Sequence, residues 1–342
     1  MSEALLRADN ESLLRADNES LLRADDLERS FAVRQGVRGL WRRGPAPVVR
    51  ALAGVSIAIG RGETLAVVGE SGCGKSTLAR ALVRLIGLDG GQIVFEGEDV
   101  RALRGEGLRR YNRRVQMVFQ DPYGSLNPRM NAGEMLAEAL TVHRIVPRAA
   151  VAGRVAELLA LVGLPADAAG RLPRAFSGGQ RQRLAIARAL SVEPALLVAD
   201  EIVSALDVSI QAQILNLLLE MQEQLGLAML FVSHDLRVVR HLAHRVAVMY
   251  LGRVVESGSA LQVFEAPQHP YTQALLLAAP VLVPGRRSTE AALRGELPSP
   301  MVQVAGCPFH PRCPKVFDRC RVEAPALEVR GGHAVACHLA SL

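Results

Sequence analysis

Aromatic residues are scarce: Phe, Trp and Tyr make up 4% of 342 residues, with one tryptophan. That speaks against a single-stranded nucleic-acid binder, which stacks successive bases on aromatic rings. Long apolar runs are missing too. Nothing approaches the roughly 18 apolar residues that cross a bilayer, and the stretch at 274–284 is short and broken by prolines. The opening MSEALLRADN puts no basic segment ahead of an apolar one, so a secretory leader is not expected. The chain reads as cytosolic, and in a reducing compartment its five cysteines serve as thiols or metal ligands rather than disulfides. What is abundant is apolar residue, 49%, enough for a sizeable core. The net charge of +6 suits an anionic ligand or an anionic lipid surface.

Residues 5–12 read LLRADNES, residues 13–20 repeat it, and residues 21–28 begin LLRAD before diverging. Eight residues turn an ideal helix by about 800°, so this period holds no helix face. It is also far below the roughly 20 residues of a solenoid repeat. We read a tandem duplication in which only the third copy serves the fold, with residues 1–20 as a disordered tail. From there apolar runs at 65–68, 115–119, 195–199 and 229–232 read as buried strands. Residues 92–95 read as a hairpin strand after the Asp89-Gly90-Gly91 turn. Helical spacing covers 76–86 and most of 132–164. This alternation predicts an α/β core with a largely parallel sheet. From about residue 266 the chain holds many of its prolines and four of its five cysteines. We expect a domain at 21–265 and a C-terminal extension at 266–342.

Gly69-Glu70-Ser71-Gly72-Cys73-Gly74-Lys75-Ser76 meets G-x-x-x-x-G-K-[ST] at every fixed position, with a strand before it and a helix after. Glycines let backbone N–H groups curl around a phosphate, and the helix N-terminus adds a favourable field. Lys75 is placed for the β- and γ-phosphates, Ser76 for Mg²⁺, and Thr77 follows them at the nucleotide. Cys73 reads as a small residue of the loop. Asp200 and Glu201 follow the apolar strand at 195–199, where open α/β sheets bind ligands. Asp200 is placed for the Mg²⁺ shell and Glu201 as general base for an attacking water.

Phe176-Ser177-Gly178-Gly179-Gln180-Arg181-Gln182-Arg183 resembles the signature motif of ATP-binding cassette (ABC) ATPases. The surrounding order matches as well: Gln120 ends a strand, Ser204-Ala205-Leu206-Asp207 follows the acids, and His234 follows a strand. Residues 121–130, DPYGSLNPRM, look like those of the ATP-binding subunits of oligopeptide and dipeptide importers. So do 269–275, HPYTQAL, and 306–314, GCPFHPRCP. The resemblance implies a RecA-like core, an antiparallel β subdomain, a helical signature subdomain at about 121–190 and a cysteine-containing C-terminal extension. It implies that Ser177, Gly178, Gly179 and Gln180 grip the γ-phosphate of an ATP held by the opposite subunit. Gln120 touches Mg²⁺ or the attacking water, His234 bonds the γ-phosphate, and Asp207 lies at the dimer interface. Phe31 is the candidate for stacking on adenine. The segment from Gln120 to Arg129 is expected to receive a short helix from a membrane subunit, with Tyr123 and Leu126 as contacts.

The implied function is the ATP-hydrolysing subunit of a di- or oligopeptide importer. It would lie at the cytoplasmic face of the cell membrane as a peripheral protein. Its expected partners are a second, related ATPase, two membrane permease subunits and, indirectly, an extracytoplasmic peptide-binding protein, with no nucleic acid. The competing reading is a soluble ABC ATPase acting on DNA or ribosomes. Such relatives carry a long coiled coil or a second cassette, and neither is seen here. One departure is Ile202, where the family usually has a proline that fixes φ. Arg34, Arg38, Trp41, Arg42 and Arg43 form a basic cluster that reads as a solvated loop or a lipid-facing one.

Cys307, Cys313, Cys320 and Cys337 crowd the C-terminal region. Four thiolates suit tetrahedral Zn²⁺ or an iron–sulfur cluster. Structural zinc usually uses close C-x₂₋₄-C pairs, absent here, and Pro308, Pro311 and Pro314 stiffen a wider loop. Importer ATPases with this pattern are similar to members that hold a [4Fe–4S] cluster. The cluster is therefore the expectation and Zn²⁺ the alternative.

Overall fold

The computed structural model describes residues 20–32, 48–204, 206–278 and 304–340. The octad repeat before Ser20 and the basic cluster from Arg34 to Arg43 lie outside them. In chain order the elements begin with β1 (Ser20–Ala32), β2 (Val48–Gly60), β3 (Thr64–Val68), α1 (Lys75–Leu82), β4 (Gly90–Phe95) and β5 (Glu98–Asp99). They continue with α2 (Gly105–Arg114), β6 (Val115–Val118), α3 (Pro122–Ser125), α4 (Ala132–Val142) and α5 (Val151–Leu161). Next come α6 (Gly178–Leu190), β7 (Leu196–Asp200), α7 (Val208–Leu225) and β8 (Ala228–Val232). The last are α8 (Leu236–Leu242), β9 (Arg245–Tyr250), β10 (Arg253–Ser259), α9 (Ala260–Glu265), α10 (Pro270–Ala278), α11 (Asp318–Val322), β11 (Glu328–Arg330) and β12 (His333–Val335). Two compact units divide them. One is drawn from Met1–Ala58, Leu65–Gly97 and Ser233–Leu342, the other from Ile59–Thr64 and Glu98–Val232. The helix expected over 76–86 ends sooner, because Arg84 takes a left-handed φ of 58°.

In the first unit β2, β1 and β4 lie side by side, with β1 and β4 antiparallel and Leu22 opposite Phe95. Leu22 and Ala24 of β1 are buried, as are their neighbours Ile93 and Phe95 of β4, which gives this sheet an apolar face. A second sheet runs β3-β9-β10-β12-β11. β3 and β9 are parallel, from Leu65 opposite Arg245 to Val68 opposite Val248. Every residue of β3 is buried, as expected of a strand in a parallel ladder covered on both faces. β12 pairs antiparallel with β10, Glu256 opposite Val335, and a Gly331-Gly332 turn with positive φ at both residues returns the chain from β11. The chain beyond residue 266 therefore adds strands to the sheet whose β3 leads into the phosphate motif.

In the second unit β6, β7 and β8 are parallel, Val115 opposite Leu196 and Val198 opposite Leu230. β7 and β8 are buried along their whole length. The helical stretch expected at 132–164 is α4 and α5. A capping box opens α4, Asn131 accepting from the Glu134 N–H and Glu134 from the Asn131 N–H, each at 2.8 Å. Gly226, at φ 60°, ends α7. Among the described residues no helix is long and apolar enough to cross a membrane.

Candidate functional site

β3 feeds the chain into a loop that only glycine can trace. Gly69 has φ 151°, and a Cβ there would stand 2.3 Å from the Met249 carbonyl oxygen. At Gly74, φ 110°, a Cβ would stand 2.2 Å from the Ala51 carbonyl oxygen. Both obstacles are backbone and cannot swing aside. The turn so formed delivers the N-terminus of α1, whose first N–H groups lack intrahelical partners and favour an anion. Lys75 is buried, with Nζ donating to the carbonyls of Gly69 at 2.8 Å and Glu70 at 3.0 Å. Ser71 and Gly72 are exposed, and Ser76 and Thr77 half-buried. Cys73 is buried in the loop, and burial pushes its thiol above the ordinary range.

Glu70 receives two contacts that the motif alone did not reveal. Its N–H donates to the Tyr271 hydroxyl at 2.9 Å. Its carboxylate accepts both arms of Arg312, at 2.7 and 3.1 Å. Tyr271 sits with Tyr250, Phe309 and His269 in one aromatic cluster, ring centroids 4.7 Å apart for Tyr250–Tyr271 and 5.3 Å for Tyr250–Phe309. Below it lies a carboxylate the sequence reading missed. Glu256 has no exposed surface, and accepts from the N–H groups of Gln268 at 2.7 Å and His269 at 3.0 Å. Its Oε1 also lies 2.8 Å from His333 Nε2. In sequence, a lone glutamate in β10 looks like the polar half of an alternating strand.

His234 is exposed on the turn after β8. The flanking Ser233 N–H donates to the Val67 carbonyl at 3.2 Å, which sets this turn beside the C-terminal end of β3. Asp235 caps α8, accepting from the Arg237 N–H at 2.9 Å. Phe31 lies in β1 and is half-buried to exposed, with the Arg29 guanidinium 4.8 Å over one ring face. Arg29 occupies one of the two faces on which a base could stack.

In the second unit Asp200 is buried at the end of β7 and Glu201 follows with φ 50°. A left-handed φ in a non-glycine residue stores strain that surrounding bonds must hold. Here the Glu201 N–H donates to the Val232 carbonyl at 3.0 Å, and the Ser204 N–H and hydroxyl both donate to the Glu201 carbonyl. Gln120 Nε2 donates to the Glu201 carboxylate at 3.1 Å, so these two predicted residues meet. Ile202 is buried.

Ser177 opens α6 through a capping box, accepting from the Gln180 N–H at 3.3 Å while Gln180 accepts from the Ser177 N–H at 3.0 Å. Gly179 is required: a Cβ there would reach 2.5 Å from Ile210 Cγ2 on α7. Arg181 places its guanidinium 5.4 Å from the Tyr123 ring centroid, and Arg188 donates to the Ser125 carbonyl at 2.7 Å. Tyr123 is exposed, whereas Leu126 is buried at 3% exposure and serves packing. Of the two expected partner contacts, only Tyr123 presents a surface. Asp207 is exposed at the start of α7.

Cys307, Cys313, Cys320 and Cys337 all line one small pocket, with His310 and His338. Burial pushes the Cys307 thiol up to about 11, with the three other cysteines adding to the shift. The Cys307 N–H donates to the Cys320 carbonyl at 2.8 Å, which knots two of the segments together. Among the described residues no three His, Cys, Asp or Glu side chains are grouped closely enough to hold a metal ion.

Residues 52–204 match the family model "ABC transporter", and residues 255–320 match "Oligopeptide/dipeptide transporter, C-terminal region". The chain is 51% identical over 340 residues to "Probable peptide ABC transporter ATP-binding protein y4tS" of Sinorhizobium fredii, covering 99% of this chain and 91% of that protein. It is 46% identical to the dipeptide transport ATP-binding protein DppF of Escherichia coli, covering 91% of this chain and 92% of DppF. Among solved structures it is similar to cbiO1 of Clostridium perfringens, part of the ABC transporter complex cbiONQ. The TM-score is 0.61 at 28% identity, over 72% of this chain and 92% of that one. It is likewise similar to the dimeric, post-hydrolysis state of the ATP-binding cassette MJ0796 bound to ADP and Pi. There the TM-score is 0.60 at 26% identity, over 70% of this chain and 98% of that one. On this likeness and the geometry above, the chain belongs to the ATP-hydrolysing subunits of peptide ABC transporters.

Proposed function

We propose that this ATPase drives import of di- or oligopeptides through two membrane permease subunits supplied by an extracytoplasmic peptide-binding protein. It works as a peripheral protein at the cytoplasmic face of the membrane, paired with a related but distinct ATPase. The observation that carries the peptide reading is the region at 255–320, whose Tyr271 and Arg312 clasp Glu70 of the phosphate loop.

The chemistry follows from the residues. The loop amides at 69–76 and Lys75 bind the β- and γ-phosphates. The hydroxyl of Ser76, the buried carboxylate of Asp200 and the Gln120 amide are oxygen donors that suit Mg²⁺, which neutralises charge on the phosphate oxygens when bound. Glu201 accepts the proton of the water that attacks the γ-phosphorus as the bond to the ADP oxygen breaks. His234 donates to the γ-phosphate. The 177–180 segment of each subunit completes the site of its partner, using N–H groups at the start of α6. Phe31 offers its free face to adenine.

The four cysteines line one pocket, which supports a [4Fe–4S] cluster as the proposed ligand, with Zn²⁺ as the second candidate. As placed, no three of these side chains are grouped to hold a metal, and they would have to close on it. Cys307, Cys313, Cys320 and Cys337 would hold it, and it would cross-link a loop with little apolar core of its own. Anaerobically purified protein is then brown and carries about four irons per chain. Colourless protein with one zinc overturns the cluster.

The test of function is purification from membranes followed by reconstitution in liposomes with the co-purifying permeases and the binding protein. Peptide-loaded binding protein should stimulate ATP turnover. Co-purification with ribosomes or DNA and no permease would instead support the soluble alternative.

A further inference from the structure

The side chain of Arg312 is 5% exposed and that of Glu70 25%, so their paired contact is largely withdrawn from water. Such a two-armed Arg–carboxylate pair is directional and stronger than a neutral hydrogen bond. The pairing is unexpected on chemical grounds. Glu70 is the second residue of a loop built to receive a polyanion. An uncompensated carboxylate in that loop repels the phosphates, and in a partly desolvated setting the repulsion is poorly screened. Arg312 sits 242 residues away in sequence, on the short turn between Cys307 and Cys313. That turn is itself held by bonds from His310 N–H to the Cys307 carbonyl and from Arg312 N–H to the Phe309 carbonyl, both at 3.0 Å. The Tyr271 hydroxyl meanwhile takes the Glu70 N–H, and burial keeps that phenol protonated.

We propose that Arg312 is a positioning residue for ATP that acts through Glu70: it cancels the charge of that carboxylate beside the phosphate loop. Nucleotide affinity is thereby set by a side chain of the C-terminal cysteine loop. The inference rests on the reading of residues 69–76 as the ATP site.

The test measures ATP binding to the full chain by calorimetry, with folding followed by circular dichroism. Arg312→Gln leaves Glu70 charged and uncompensated, and ATP should bind roughly tenfold more weakly. Adding Glu70→Gln to that variant removes the charge, and affinity should return to near the wild-type value. Glu70→Gln alone removes the carboxylate's negative charge while the Arg312 cation stays beside the loop, and it should bind ATP at least as tightly as wild type. This single variant keeps the proposal falsifiable even where Arg312→Gln does not fold. Folded Arg312→Gln with wild-type affinity overturns the proposal. So does a double variant as weak as Arg312→Gln, since a merely structural clasp would not be rescued by deleting its second half. Weakened binding by Glu70→Gln alone overturns it as well. Lys75→Ala is the control. If it binds ATP normally, the ATP-site reading has failed rather than the role of Arg312.

Discussion

Replacing Phe309 by alanine tests whether the C-terminal cysteine loop is held by its aromatic anchor. The ring is 1% exposed and contacts three others, with centroids 5.3 Å away at Tyr250, 5.4 Å at Tyr271 and 5.7 Å at His269. Truncating a buried Phe costs about 3–5 kcal/mol, the higher values where the cavity cannot collapse. Collapse is restricted here. Tyr271 is tied at its hydroxyl to the Glu70 N–H at 2.9 Å, and its own backbone N–H donates to His269 Nδ1 at 3.0 Å. We therefore expect about 4 kcal/mol. A chain of two compact units need not unfold in one step, so the suitable assay is native-state hydrogen exchange read by mass spectrometry. Peptides covering 304–340 and β9–β10 should lose about 4 kcal/mol of opening free energy, while peptides of α4 and α5 keep theirs. Phe309→Leu, which retains most of the apolar volume, should lose no more than about 1.5 kcal/mol. A loss below about 1 kcal/mol in Phe309→Ala, or one spread equally over both units, would refute the reasoning.

Glu201→Gln should lower ATP turnover by about 10²–10⁴-fold with ATP binding intact, because the backbone bonds that hold the strained turn do not involve the carboxylate; turnover within a few-fold of wild type counts against the assignment. His269 is held near a pKa of about 4 by burial, against 6.5 ordinarily, while a bond with the Ala336 backbone pulls the other way. The unfolded chain binds the extra proton between those values, so the contribution of about 3 kcal/mol is whole above pH 6.5 and is lost as pH falls toward 4. Thermal melts at stepped pH should show that acid limb, flattened in His269→Asn; identical limbs would exclude it. Tyr123→Ala should uncouple transport from hydrolysis and spare ATP affinity, whereas Leu126→Ala should cost about 2–5 kcal/mol of stability, read by denaturation. Equal stability losses for the two would contradict the difference in exposure.

The phosphate loop was legible because its chemistry is written in backbone. Gly69 and Gly74 are the residues that can pass the Met249 and Ala51 carbonyls, so spacing alone betrays them. Glu201 was legible as a candidate through its place at a strand end, and Gln120 through the resemblance to ABC ATPases. Leu126 was misjudged because a leucine among Pro, Gly and Asn carries no sign of the core it enters. Glu256, Tyr271 and Arg312 stayed hidden for a different reason. Their roles are pairings across 12 to 242 residues of sequence, and such contacts leave no local pattern.

The first unit is discontinuous in sequence, whereas all but six residues of the second form one run, Glu98–Val232. During synthesis the helices α2 to α7 therefore leave the ribosome with nearly all of their own contacts available. β3 must wait for β9 to pair with it, and Gly69 for the Met249 backbone it skirts. Glu70 waits longest, since Arg312 is made 242 residues after it. Contacts of such long sequence separation form slowly. The glycine-rich loop at 69–76 is thus among the last parts of the chain to take shape, and a nascent chain stalled before residue 312 would carry the whole motif without its fastening.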